Sequence, residues 1–170
     1  DAGADGFIVP DLPVEEAEEF EAALRGASST SEKNTRSPLT IVPEAKLSGS
    51  TMPLIQMLAP TTPNERMERI ARNAQGFIYL VSVTGVTGER KSVSDGLGDL
   101  IARVREHTSV PVCVGFGIGT PEQAKEVGRM ADGVIVGTAC VRTIGGSEKP
   151  VEAAKKFAKS FADVLQTIHQ

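Results

Sequence analysis

The sequence is poor in the residues that build metal centres and disulfide frameworks. It has two cysteines and two histidines in 170 residues. Cys113 and Cys140 stand in apolar segments, no Cys-x-x-Cys occurs, and His107 and His169 have no metal-site spacing around them. That excludes a disulfide scaffold and a zinc finger, and it predicts two buried, reduced thiols. A basic excess is also missing. Eighteen Lys and Arg against 22 Asp and Glu give a net charge of −4, and no basic stripe is present. A nucleic-acid surface is therefore not expected. No apolar run approaches the roughly 20 residues that cross a bilayer. The opening DAGADGFIVPD has no basic n-region and no long apolar stretch, so it does not read as a signal peptide. What is there is 40% hydrophobic and 24% charged, in a chain whose length suits one domain.

The chain carries a repeating rhythm. A short apolar run in DGFIVPD leads into LPVEEAEEFEAALRG, where Pro13 can start a helix and Glu15 and Glu16 suit its first turn. Ala17, Phe20, Ala23 and Leu24 form its apolar stripe. PLIQMLAP predicts a strand over 53–59, and Met67, Ile70, Ala71 and Ala74 predict a helix after it. GFIYLVSV over 76–83 is nearly continuous in apolar character, as buried parallel strands are. A helix near 97–107, a strand over 110–115 and a helix over 121–129 follow. In that last helix Thr120, Pro121 and Gln123 spell a capping box. A strand over 132–139 and a helix near 148–168 close the chain, with Ala154, Phe157, Phe161, Leu165 and Ile168 on one face. Five β-α repeats require a mostly parallel sheet with helices packed outside it, because parallel strands need long crossovers. An open doubly wound sheet and part of a (β/α)8 barrel both satisfy the pattern. The stretch 26–52, rich in Ser and Thr, departs from it and is read as an atypical polar insertion forming a disordered surface loop.

In such folds ligands sit beyond the carboxyl ends of the strands. Asp11 follows the first strand. Tyr79, the only tyrosine, lies on the third, with Ser82, Thr84, Gly85, Thr87 and Gly88 after it. Gly115, Gly117 and Gly119 end the fourth, and Gly137 and Thr138 end the fifth. Glycines at two neighbouring strand ends, with a short helix begun by GTACV, can surround an anion with backbone N–H groups. The spacing of GFGIG is not that of a dinucleotide fingerprint, and GxxxxGK[ST] is absent. This inventory can hold a phosphate but offers one aspartate, one tyrosine and several hydroxyls, where acid–base catalysis wants a placed pair of titratable groups.

GFIVPDLPVEEAEEF, APTTPNERM, GFIYLVSVTGVTG, PVCVGFGIGTPEQAKEV and ADGVIVGTACV together resemble the tryptophan synthase alpha family, especially its plant, algal and related bacterial forms. The resemblance covers 1–25 and 53–150 closely and the last helix loosely. It implies a (β/α)8 TIM barrel, here an incomplete one of about five β-α units beginning at the family's fourth strand. It implies a lyase of tryptophan biosynthesis that cleaves indole-3-glycerol phosphate to indole and glyceraldehyde 3-phosphate, and that hands indole to a pyridoxal-phosphate beta subunit. No cofactor or metal is implied in the alpha chain itself. The location implied is cytoplasmic in a bacterium and plastid in a plant or alga.

Carried over by position, Tyr79 resembles the tyrosine beside the substrate. Gly115 and Gly117 match the loop that helps hold the phosphate, and Gly137 and Thr138 stand where a Gly-Ser pair receives it. Asp11 and Thr87 resemble the aspartate and mobile-loop threonine whose contact closes the site. The family's essential glutamate and its indole-binding aspartate lie on strands without a counterpart here, so no catalytic residue is assigned and the chain alone is expected to be inactive. The residues of 26–52 do not resemble the family. Five strands of eight leave two open edges and an uncovered face. A second expectation, of a different class, is a non-catalytic phosphate-binding or regulatory remnant that docks on a partner protein.

Overall fold

The computed structural model describes residues 6–28, 53–81, 96–115 and 117–168. Within them five strands alternate with helices: β1 Phe7–Ile8, α1 Ala17–Ser28, β2 Leu54–Leu58, α2 Asn64–Asn73, β3 Ile78–Val81, α3 Leu97–Arg105, β4 Val112–Gly115, α4 Pro121–Gly128, β5 Gly133–Ile135, α5 Thr138–Gly145 and α6 Pro150–Gln166. Every neighbouring pair is parallel, and the spatial order is β1-β2-β3-β4-β5. That order decides between the two architectures left open by the sequence. A doubly wound sheet reverses its strand order at a switch point. Here the order never reverses, and right-handed crossovers then place all helices on one face. This is the winding of an incomplete (β/α) TIM barrel of about five β-α units.

The two faces of the sheet accordingly differ. Register aligns Leu58, Leu80, Val114 and Val134 across four strands, on the side covered by helices. Ile78, Leu80, Val112 and Val114 have no exposed surface there, packed with Met67, Ile70, Ala71, Leu100, Ile101, Val104, Ala124, Val127 and Phe161. The other row is Met57, Tyr79, Cys113 and Gly133, half-buried throughout. Alternation along each strand sends one set to the helices and the other away from them.

Several sequence expectations are corrected. Pro13 does not start α1; Val14 to Glu16 form turns, Glu16 N donating to Pro13 O and Ala17 N to Val14 O, and the helix begins at Ala17. Glu15 instead turns to α2, its carboxylate 3.2 Å from Arg66 and 3.3 Å from Arg69. In the stripe Ala17 is buried and Phe20 meets Phe7 edge-on, but Ala23 is exposed. α1 also runs through residues 26–28, the start of the presumed insertion, while 29–52 lie outside the described residues. The expected strand over 132–139 stops at Ile135, and Thr138 begins a helix. Both thiols are half-buried rather than buried, and both are free. Burial, followed by the nearby Asp132 charge, pushes the Cys113 thiol up to about 11.

Two local devices hold the β4–β5 region. At α4, Gln123 N donates to the Thr120 hydroxyl while Thr120 N donates to Gln123 Oε1, completing the capping box. Thr120→Ala is expected to cost about 1 kcal/mol in a denaturant melt; an unchanged midpoint would deny the cap a role. The second device is Asp132. Its Oδ2 accepts from Val112 N and its Oδ1 from Arg105 Nη2, each at 2.9 Å, tying the end of α3 to the start of β4. Burial alone would raise this carboxyl, but the Val112 N–H and the Arg105 guanidinium outweigh it and hold it below its ordinary value. A depressed folded-state value adds stability above the unfolded value, lost as pH falls through the folded one. Asp132→Asn is therefore expected to lower stability by about 1 kcal/mol near neutrality. Its melting temperature should converge with that of the parent in acid; a gap that persists there would assign the loss to something other than the charge.

Candidate functional site

The carboxyl ends of β3, β4 and β5 carry most of the candidate residues. Tyr79 leaves β3 on the half-open face and leans toward Gly115, two residues beyond its β4 partner Cys113. A Cβ placed on Gly115 would stand 2.5 Å from Tyr79 Cε2 and 2.7 Å from its hydroxyl. The ring thus occupies the volume that a side chain at 115 would need. Cys113 repeats the arrangement one strand on, with Sγ 2.7 Å from the position of a Cβ at Gly133. Tyr79 and Cys113 thus each fit over a glycine of the next strand, whereas Met57 pairs with Tyr79.

After β4 the chain turns through Gly117, whose φ of +79° is a left-handed conformation that favours glycine. It then reaches Gly119, where a Cβ would lie 4.0 Å from Ala139 Cβ. The β4 loop therefore rests against the first turn of α5. Gly137, immediately before that helix, has a negative φ of −102° and nothing within 4 Å of where its Cβ would be. Neither backbone conformation nor packing demands glycine at 137. Its place is open space beside the free N–H groups of a helix start, where an anion is favoured. One sequence expectation narrows here: the Gly119 N–H is already donated to Gln123 Oε1 at 2.8 Å.

The structure thus brings Tyr79 and Gly115 together, and separately sets Gly119 against Ala139, with Gly117 two residues before the first and Gly137 and Thr138 just before the second. Asp11 is exposed in the turn after β1, at the opposite edge of the sheet from β5. Thr87, with Ser82, Thr84, Gly85 and Gly88, lies outside the described residues. Among the described residues no group of three or more His, Cys, Asp or Glu could hold a metal ion, and no helix is long and apolar enough to cross a membrane. Sequence reasoning missed Asp132 and its two bonds. The signal was the aspartate directly before GVI, which also reads as an ordinary strand entry.

A family model described as "Tryptophan synthase alpha chain" matches residues 40–169. The chain is 45% identical over 143 residues to the tryptophan synthase alpha chain of Roseiflexus castenholzii, covering 84% of this chain and 46% of that one. It is 41% identical over 168 residues to that of Arabidopsis thaliana, covering 96% and 53%. The crystal structure of the tryptophan synthase alpha chain from Legionella pneumophila superposes with a TM-score of 0.71 at 29% identity, over 98% of this chain and 54% of that one. The chain spans about half the length of the curated relatives it matches. The family model takes in the last helix and residues 40–52, against the expectation that 26–52 do not resemble the family, and matches to family members covering up to 99% of this chain also take in β1. With its parallel, singly wound sheet and glycine-lined strand ends, the chain belongs to the tryptophan synthase alpha chain family.

Proposed function

We propose that this chain carries the phosphate-holding part of a carbon–carbon lyase that cleaves indole-3-glycerol phosphate to indole and glyceraldehyde 3-phosphate in tryptophan biosynthesis. The observation that carries the reading is the meeting of the Gly117–Gly119 loop with the first turn of α5 around the open space at Gly137. Gly117, Gly137 and Thr138 hold the phosphate: backbone N–H groups donate to its oxygens, the Thr138 hydroxyl adds a further donor, and the absence of side chains at the glycines allows close approach. Tyr79, seated over Gly115, flanks the body of the substrate. Asp11 and Thr87 close the site through a contact between their loops.

The reaction is a retro-aldol type cleavage. Protonation makes an indolenine tautomer, the carbon–carbon bond breaks, and the triose phosphate stays anchored. Binding energy from the remote phosphate aligns the breaking bond, and it helps only where the alignment is fixed. Indole passes to a beta subunit that uses pyridoxal phosphate. The acid–base carboxylates have no assigned counterpart here, so the chain alone binds and does not turn over.

The test is indole release from indole-3-glycerol phosphate by the purified chain, with and without a beta subunit, beside titration of glyceraldehyde 3-phosphate. Binding without indole release supports the reading. Turnover by the chain alone would assign acid–base work to Asp11 or another local carboxylate. Failure to bind the triose phosphate would remove the anchor, and with it the proposal.

A further inference from the structure

A cavity of ≈ 250 Å³ lies between the first two β-α units, under the turns that follow β1 and β2. Tyr79, Gly115, Gly117, Gly137 and Thr138 are absent from its lining, so it is separate from the phosphate site. Leu12, Val14 and Ile70 make apolar wall, Thr61 and Arg66 stand among the polar lining, and Gln56 contributes an amide from β2 itself.

Gln56 is the anomaly. It is 7% exposed, the only polar side chain among the buried described residues, and its register partner Ile78 belongs to the helix-covered core. An aliphatic residue is the ordinary occupant of such a position. The amide is not sealed into the core: among the described residues no buried side-chain nitrogen or oxygen lacks a partner, and Gln56 lines the cavity. The cavity is where that amide finds space. Arg66 supplies a second polar group. The Glu15 carboxylate bridges Arg66 and Arg69 at 3.2 and 3.3 Å, so one negative charge faces two positive ones. These ion pairs leave a positive charge over, and a guanidinium with five N–H donors keeps some for a ligand.

We infer that this cavity binds a small aliphatic carboxylate bearing a second hydrogen-bonding group, its carboxylate on Arg66 and Thr61, its chain against Leu12, Val14 and Ile70, and its second polar group on the Gln56 amide. The volume lies below the range of drug-sized sites and suits a ligand of amino-acid size. Pro10 and Leu12 also line the cavity, and Asp11 lies between them. A bound molecule therefore touches both neighbours of that aspartate.

The probes are 5-hydroxypentanoate, pentanoate and the uncharged 5-hydroxypentanamide, titrated into the labelled chain and followed by backbone amide shifts. Saturable binding of 5-hydroxypentanoate is expected, about tenfold tighter than either relative, with shifts centred on residues 9–14 and 54–66. Arg66→Gln, at a half-exposed rim position, should abolish the preference for the carboxylate over the amide. Gln56→Leu should abolish the preference for the hydroxyl while keeping that for the carboxylate. If Gln56→Leu fails to fold, the Arg66→Gln comparison alone decides. Equal affinity for the three probes, no saturable shifts, or shifts centred on residues 115–119 and 137–139 would each overturn the inference. None of these results bears on indole release, so this site and the lyase reading fail separately.

Discussion

Replacing Gly115 by alanine is expected to lower stability by about 2 kcal/mol and to drive the Tyr79 ring from its seat. The new methyl would stand 2.5 Å from a ring carbon, well inside van der Waals contact. Something must then move, and the ring moves more easily than the strand because its face of the sheet is half-open. The chain has one tyrosine and no tryptophan, so emission excited at wavelengths beyond phenylalanine absorption comes from this ring alone. Acrylamide quenching and a denaturant melt together read the result: greater quenching with a lower midpoint. A companion Tyr79→Leu should recover most of the lost stability, because it removes the atoms that the methyl meets. If the alanine variant quenches and melts like the parent, the ring does not sit over Gly115.

Gly137→Asp is the second large effect, and it is opposite in kind. A side chain at 137 points into open space and the backbone φ is negative, so folding should be unaffected. The added carboxylate stands where the proposed phosphate sits, and like charges repel. Affinity for glyceraldehyde 3-phosphate should fall at least about a hundredfold, roughly 2.7 kcal/mol, with a melting temperature equal to or above the parent's, because a carboxylate at the start of α5 also meets the helix's own N–H groups. Unchanged affinity would place the phosphate elsewhere. A fall in melting temperature would mean that Gly137 serves packing.

The legible part of the fold was the part with a period. Met67, Ile70, Ala71 and Ala74 recur at helical spacing and are all buried, and Thr-Pro-x-Gln marked the start of α4 to the residue. Strand order was not legible, since a β-α repeat winds equally well into a doubly wound sheet, and only pairing across the chain separates the two. α1 was misplaced because Pro13 and two glutamates make a good first turn, while Glu15 gains more from two arginines on α2. The glycines of the site could be found by position, but their reasons could not. Gly117 turns the chain, Gly115 accepts a ring and Gly137 opens space, three uses that look identical in one-letter code. Gln56 was invisible within PLIQMLAP, because nothing in a strand reports which face a single polar residue takes until the register is known.

The sidedness of β3 and β4 has an evolutionary consequence. Ile78, Leu80, Val112 and Val114 answer to the core, and Tyr79, Val81, Cys113 and Gly115 answer to whatever occupies the other face. Alternate positions of one short strand are thus under different selection. Drift at even-numbered positions is checked by folding, whereas odd-numbered positions of β3 can vary with the ligand at little cost to the fold. Gly115 is the exception on this surface, since a larger residue there is accommodated only when Tyr79 changes with it.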